Sequence, residues 1–118
     1  MNNSISFYDT AAKENAYHTL LIGLFAGNAN WLVKSNVEAG DGRADIIVET
    51  EDPDAGIIVE LKYSPTFQGM ENICEKAIAQ IKELRYEEYL KNDDRNDILY
   101  YGIAFCKKKC KVVVEKAR

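Results

Sequence analysis

The chain is short of several things, and each shortage closes off a class of protein. Cysteine is scarce: Cys74, Cys106 and Cys110 are the three present. An odd count does not suit a disulfide framework. Lys107, Lys108 and Lys109 separate Cys106 from Cys110, and only Cys74 and His18 remain to complete a four-ligand zinc site. Ligand supply therefore argues against zinc and for reduced, mostly buried thiols. Long apolar runs are also missing. The longest, around Leu20 to Ala26, falls far short of the ~20 residues a bilayer requires. No basic segment followed by an apolar one opens the chain, so no signal peptide is expected and a cytoplasmic location follows. Finally, positive charge is not in excess: 15 Lys and Arg stand against 19 Asp and Glu, a net charge of −4. That argues against a nonspecific polyanion coat, although a local basic patch is enough for nucleic acid.

What remains is ordinary for a soluble globular protein: 118 residues, 47% apolar and 29% charged. The length suits one domain over residues 1–118, with 1–8 as a polar lead-in. Asp9 or Thr10 can cap a helix running to about Ala26, in which Tyr17, Leu20, Leu21, Leu24 and Phe25 recur at helical spacing. Strands are expected over Trp31–Glu38, Ala44–Thr50 and the segment GIIVELKYS from Gly56 to Ser64. Gly40-Asp41-Gly42 and the polar run Glu51–Ala55 turn the chain between them. One long helix is expected from about Gly69 to Leu90, with Ile73, Ala77, Ile81 and Leu84 as its apolar stripe. Strands at Ile98–Cys106 and Lys111–Glu115 close the order α-β-β-β-α-β-β, which implies an α/β fold with a mixed sheet flanked by helices.

Two charges interrupt GIIVELKYS. Side chains alternate along a strand, so Glu60 and Lys62 point to one face. Asp45 lies on the preceding strand across a short hairpin. With Thr50 opposite Ala55, Asp45 faces Glu60; with Thr50 opposite Ile57, it faces Lys62. Either register gathers two carboxylates and an ammonium. Two such carboxylates repel unless positive charge lies between them, and a hard divalent cation would supply it. Such a site can activate a water and offset charge on a phosphate. Glu14 falls on the apolar face of the first helix and Gln80 on or beside the stripe of the second, where each needs a polar partner. Each charge also has a plainer reading. Glu60 and Lys62 could be a solvated pair, Glu14 a first-turn carboxylate and Gln80 a solvent-facing residue. Trp31, Tyr86 and Tyr89 read as packing residues, Glu38 and Glu49 as strand-surface residues, and the lysine run 107–109 as a solvated turn.

The pieces Gly42-Arg43-Ala44-Asp45 and Glu60-Leu61-Lys62 together resemble the PD-(D/E)XK nuclease superfamily. With Ala79-Gln80-Ile81 and Tyr101-Gly102-Ile103-Ala104-Phe105, they look most like a bacterial subgroup often found C-terminal to an AAA-ATPase-like domain. Arg43-Ala44 stands where the family has its proline, a position that bears no chemistry. The resemblance implies a restriction-endonuclease-like fold and hydrolysis of phosphodiester bonds, chiefly of DNA. It implies Asp45, Glu60 and Glu14 as metal-binding residues. Lys62 would orient the water or stabilise charge, and Gln80 would assist catalysis. Read from position alone, Arg43 could contact a nucleic-acid phosphate or pair with Asp41, and Tyr63 could line the nucleic-acid site or serve a turn or packing role. Magnesium is the implied metal, with manganese able to substitute. A homodimer or an attached ATPase-like domain would supply further grip on DNA. The rival expectation is a binding or assembly module that keeps the fold without significant turnover.

Overall fold

Five strands form one sheet in the order β1-β2-β3-β4-β5: β1 Leu32–Ala39, β2 Gly42–Glu49, β3 Ala55–Tyr63, β4 Asp97–Cys106 and β5 Lys109–Lys116. The computed structural model describes Gly27 and residues 30–117. The predicted first helix, Glu14 and His18 lie outside the described residues. Neighbouring strands are antiparallel except β3 and β4, which run parallel. A parallel pair needs a crossover, and here it is helical. It comprises α1, Met70–Glu83, and the short α2, Glu88–Lys91. No helix among the described residues is long and apolar enough to cross a membrane.

Alternation decides which residues meet α1. Ile58 and Ile98 join Ile78, Ile81, Tyr86 and Leu90 in a core between sheet and helices. Odd positions of β3 and β4, from Ile57 to Leu61 and at Ile103 and Phe105, bury themselves on the other face with Ile46 and Val48. Both central strands are thus apolar on both sides, as a parallel pair in the middle of a sheet should be. Helix and sheet approach closely at Gly102, where a Cβ would lie 2.2 Å from the Cys74 carbonyl oxygen.

The long helix predicted for Gly69 to Leu90 is in fact broken after Glu83. Leu84 caps it and Arg85 turns left-handed at φ 54°. The Arg85 N–H then donates to the Lys82 oxygen (3.2 Å) and the Tyr86 N–H to the Ile81 oxygen (3.1 Å). This is the Schellman pattern, usually built on glycine. Here the β1–β2 turn compensates. The Asp41 N–H donates to the Leu84 oxygen at 2.8 Å, and the Asp41 carboxylate takes both Arg85 Nε and Nη2 at 2.9 Å. The ion pair holds the Asp41 carboxyl below its ordinary range. Gly40, at φ 54°, leaves room for this contact: a Cβ there would sit 2.1 Å from the Arg85 oxygen.

Candidate active site

The β2–β3 register runs from Glu49 opposite Gly56 to Ile46 opposite Val59. Of the two registers the sequence allowed, this is the one that brings Asp45 level with Glu60. The ladder stops there, and a side chain takes over from the backbone: the Leu61 N–H donates to Asp45 Oδ2 at 2.8 Å. On the other side of β2, pairing with β1 also skips Asp45, although the register is the same before and after. The residue opposite, Asn36, is left-handed at φ 51°. Both strands change facing at this point. Ala44 and Ile47, which differ in parity, pack in the same core, whereas Val33 and Val37 of β1, which share parity, pack against opposite ones. Asp45 therefore sits where the pleat breaks, with its carboxylate turned toward β3 instead of locked into the alternation.

Glu60 is buried, with its side chain only 5% exposed. Burial, reinforced by the neighbouring Asp45 carboxylate, pushes its carboxyl up to about 8, and Lys62 only partly opposes this. One carboxylate oxygen is well supplied. Glu60 Oε2 accepts from Gln80 Nε2 at 2.6 Å and lies 3.8 Å from Lys62 Nζ. The other, Oε1, is buried with no hydrogen-bond partner among the described residues. Lys62 donates to Gln80 Oε1 at 2.6 Å. One amide thus faces the ammonium with its oxygen and the carboxylate with its nitrogen, fixing both groups. Lys62 is 34% exposed and reaches solvent.

Tyr86 is a member that sequence reasoning assigned to packing. It is 1% exposed, and its hydroxyl accepts from Gln80 Nε2 at 3.1 Å. Burial raises its phenol above the ordinary range, Gln80 opposes the shift, and the Glu60 and Asp45 charges add to it. Its ring closes over Gly42, where a Cβ would meet the ring carbon Cε1 at 3.1 Å. The signal that could have found it is Gly42 at the start of the Asp45 strand, which leaves space for a large neighbour.

The remaining predicted residues divide. Arg43 is exposed and lies 3.7 Å from Glu38; it does not pair with Asp41, which Arg85 occupies. Tyr63 is not brought into the cluster. Two register positions past Leu61, it packs edge-on against Phe105 (5.6 Å between centroids) beside the core on the opposite face. Glu49 shares the helix-side face but is held elsewhere, 2.8 Å from Lys34, which also donates to the Tyr89 hydroxyl at 2.7 Å.

An acidic residue at a pleat break on β2, an acid-x-lysine on β3 and a helical glutamine across them, on this mixed sheet, define a restriction-endonuclease-like protein. A family model of the PD-(D/E)XK nuclease superfamily matches residues 12–115. The chain belongs to that superfamily. Neither the curated proteins nor the solved structures compared with it give a match. Members of the superfamily typically use divalent metals. The donor set fits one: Asp45 and Glu60 offer hard carboxylate oxygens, and Glu60 Oε1 is a buried acceptor without a donor among the described residues.

Proposed function

We propose that the chain is a magnesium-dependent nuclease that hydrolyses phosphodiester bonds of DNA in the cytoplasm. The observation that carries this reading is Glu60 Oε1, which has no hydrogen-bond partner among the described residues and is buried beside a second carboxylate and an ammonium held in place. An ordinary surface pair would leave both carboxylate oxygens in water. Asp45 and Glu60 would hold the cation, with Glu14 as a further donor and manganese as a substitute. Bound there, the cation supplies Lewis acidity and offsets phosphate charge.

The chain's own groups do the rest. The Leu61 N–H fixes the Asp45 carboxylate, and Gln80 fixes that of Glu60. Both acceptors are thus placed before substrate arrives, which lowers the reorganisation needed at the reacting centre. Lys62, oriented by Gln80 and open to solvent, donates to the attacking water or to a phosphate oxygen as charge builds. Arg43 on the exposed rim of β2 would meet a phosphate of the bound strand. A second copy of the chain or a linked ATPase-like domain would add grip that a chain of net charge −4 lacks.

The test is a cleavage assay with magnesium or manganese on the wild type, Asp45→Ala and Lys62→Ala. Each substitution should lower turnover by at least about 10²-fold. Equal cleavage by the variants would assign the activity to a contaminant. A wild type that binds DNA without cutting it would make the chain a binding module.

A further inference from the structure

The chain leaves β3 immediately after the Lys62 strand through a loop that holds a phenylalanine out in solvent. Phe67 is 46% exposed. The loop is not slack. Ser64, fully buried, donates its N–H to the Phe105 oxygen at 2.8 Å and its hydroxyl to the Thr66 oxygen at 2.6 Å. Thr66 Oγ1 accepts the Gly69 N–H at 3.0 Å, and the Phe67 oxygen accepts that of Met70 at 3.3 Å. A hydrogen-bonded loop therefore presents an aromatic ring instead of fully burying it, forgoing roughly half of the ~1.5–3 kcal/mol that complete burial would supply.

Two lysines from the β4–β5 turn meet that ring. Lys109 Nζ lies 5.0 Å and Lys107 Nζ 5.8 Å from its centroid, both within cation–π range. Several cations of this acidic chain sit against carboxylates: Lys34, Lys82, Arg85, Arg95, Lys111 and Lys116 each have one within 4.0 Å. Lys108 and Lys109 make no ion pair among the described residues. Positive charge thus gathers around an exposed ring.

The position is what gives the patch meaning. β3 and β4 are parallel, with Lys62 opposite Ala104. The Phe67 loop and the lysine turn consequently leave the sheet at the end toward which Lys62 lies. Lys107 is three residues past Ala104, just beyond the end of β4.

The geometry points to Phe67, Lys107 and Lys109 as a clamp for a single-stranded stretch of DNA, with an unstacked base on the ring and its flanking phosphates on the two ammonium groups. A base inside a duplex has both faces covered and cannot use the ring, whereas any unpaired base can. The clamp names the substrate class of the site proposed above, an unpaired strand beside the scissile bond, and rests on that reading.

Binding separates the two. The full chain, in EDTA so that nothing is cut, is titrated into a short fluorescein-labelled DNA single strand and into the same strand made duplex, with anisotropy as the signal. Phe67→Ala should weaken single-strand binding about 5- to 150-fold, the range for losing one base–aromatic stack, and leave duplex binding nearly unchanged. Phe67→Trp should keep single-strand binding. Replacing Lys107 and Lys109 together with Ala should reduce the slope of log affinity against log salt by about 1.4 on the single strand. Matched thermal melts exclude unfolding, which an exposed loop position makes easy to avoid. Single-strand affinity unchanged in Phe67→Ala, or single-strand and duplex affinity lost alike, overturns the clamp. Those outcomes leave the nuclease reading standing, because that is judged by cleavage in the Asp45 and Lys62 variants.

Discussion

Glu60→Gln should make the metal-free protein more stable, although it removes a residue of the proposed site. The folded-state carboxyl is raised to about 8 from an ordinary 4.5. A raised carboxyl pKa means that the folded state holds the proton more tightly than the unfolded chain does. The folded protein is therefore favoured most below pH 4.5 and loses stability as pH climbs toward 8. Between those limits the loss follows the difference in bound protons, and each pKa unit is worth about 1.4 kcal/mol. At pH 7 the shift corresponds to about 3 kcal/mol, and above pH 8 it levels off near 5 kcal/mol. Glutamine keeps the shape and never ionises. Its oxygen can still accept from Gln80, and its amide can donate to the Asp45 carboxylate. The assay is urea unfolding of wild type and Glu60→Gln in EDTA from pH 4.5 to 9. The difference between the two should be within about 0.5 kcal/mol at pH 4.5 and grow to several kcal/mol at pH 8. Comparing the two proteins at each pH cancels the titration of every group not coupled to Glu60. Adding magnesium should raise the stability of the wild type at pH 8 and do little for the variant. A difference that stays flat with pH, or a variant less stable than wild type at pH 8, would refute the claim that burial and Asp45 dominate this carboxylate.

Three further outcomes follow from single contacts. Gln80→Ala removes the amide that orients both Lys62 and Glu60. Turnover should fall about 10- to 100-fold with KM little changed, and the pH–rate profile should move upward as Glu60 loses a donor; an unmoved profile would leave Gln80 as mere packing. Tyr86→Phe keeps the ring over Gly42 and loses the acceptor for Gln80, so urea unfolding should show a loss of about 0.5–1.5 kcal/mol. Gly40→Ala must place a methyl against the Arg85 carbonyl in a left-handed backbone. It should cost upwards of about 2 kcal/mol in the same assay and depress cleavage, because the helix end it displaces carries Gln80 and Tyr86.

Much of the sheet is legible in the chain because the strands obey simple rules. Ile57, Val59 and Leu61 mark one face of β3, and Gly40-Asp41-Gly42 marks the β1–β2 turn. The observed strands begin or end within two residues of the expected positions. What was not legible is where local sequence offers no signal. The polar run Glu51–Ala55 accommodates both registers. The choice between them is made partly by Arg95, some forty residues on, whose Nη1 donates to the Thr50, Asp52 and Ala55 oxygens at 3.2, 3.0 and 2.7 Å. The helix break has the same character. Nothing at Arg85 announces a left-handed residue, since glycine is the usual signal. The conformation is imposed by Asp41 from a turn more than forty residues earlier.

That break also explains which site residues could be named in advance. Asp45, Glu60 and Lys62 needed only strand parity and a hairpin, and Gln80 needed only the helical repeat up to Glu83. Tyr86 is six positions after Gln80. On one continuous helix it would point about 240° round the axis, away from the carboxylates. Only because Arg85 reverses the chain does the Tyr86 hydroxyl return to the Gln80 amide. The residue that breaks the helix is held by Asp41, and Asp41 begins the turn into the strand that carries Asp45. One tertiary contact thus ties the helix end behind Gln80 to the β1–β2 turn that opens the strand carrying Asp45. A change at the Asp41–Arg85 pair should therefore disturb both carboxylates' surroundings together, although neither residue touches them.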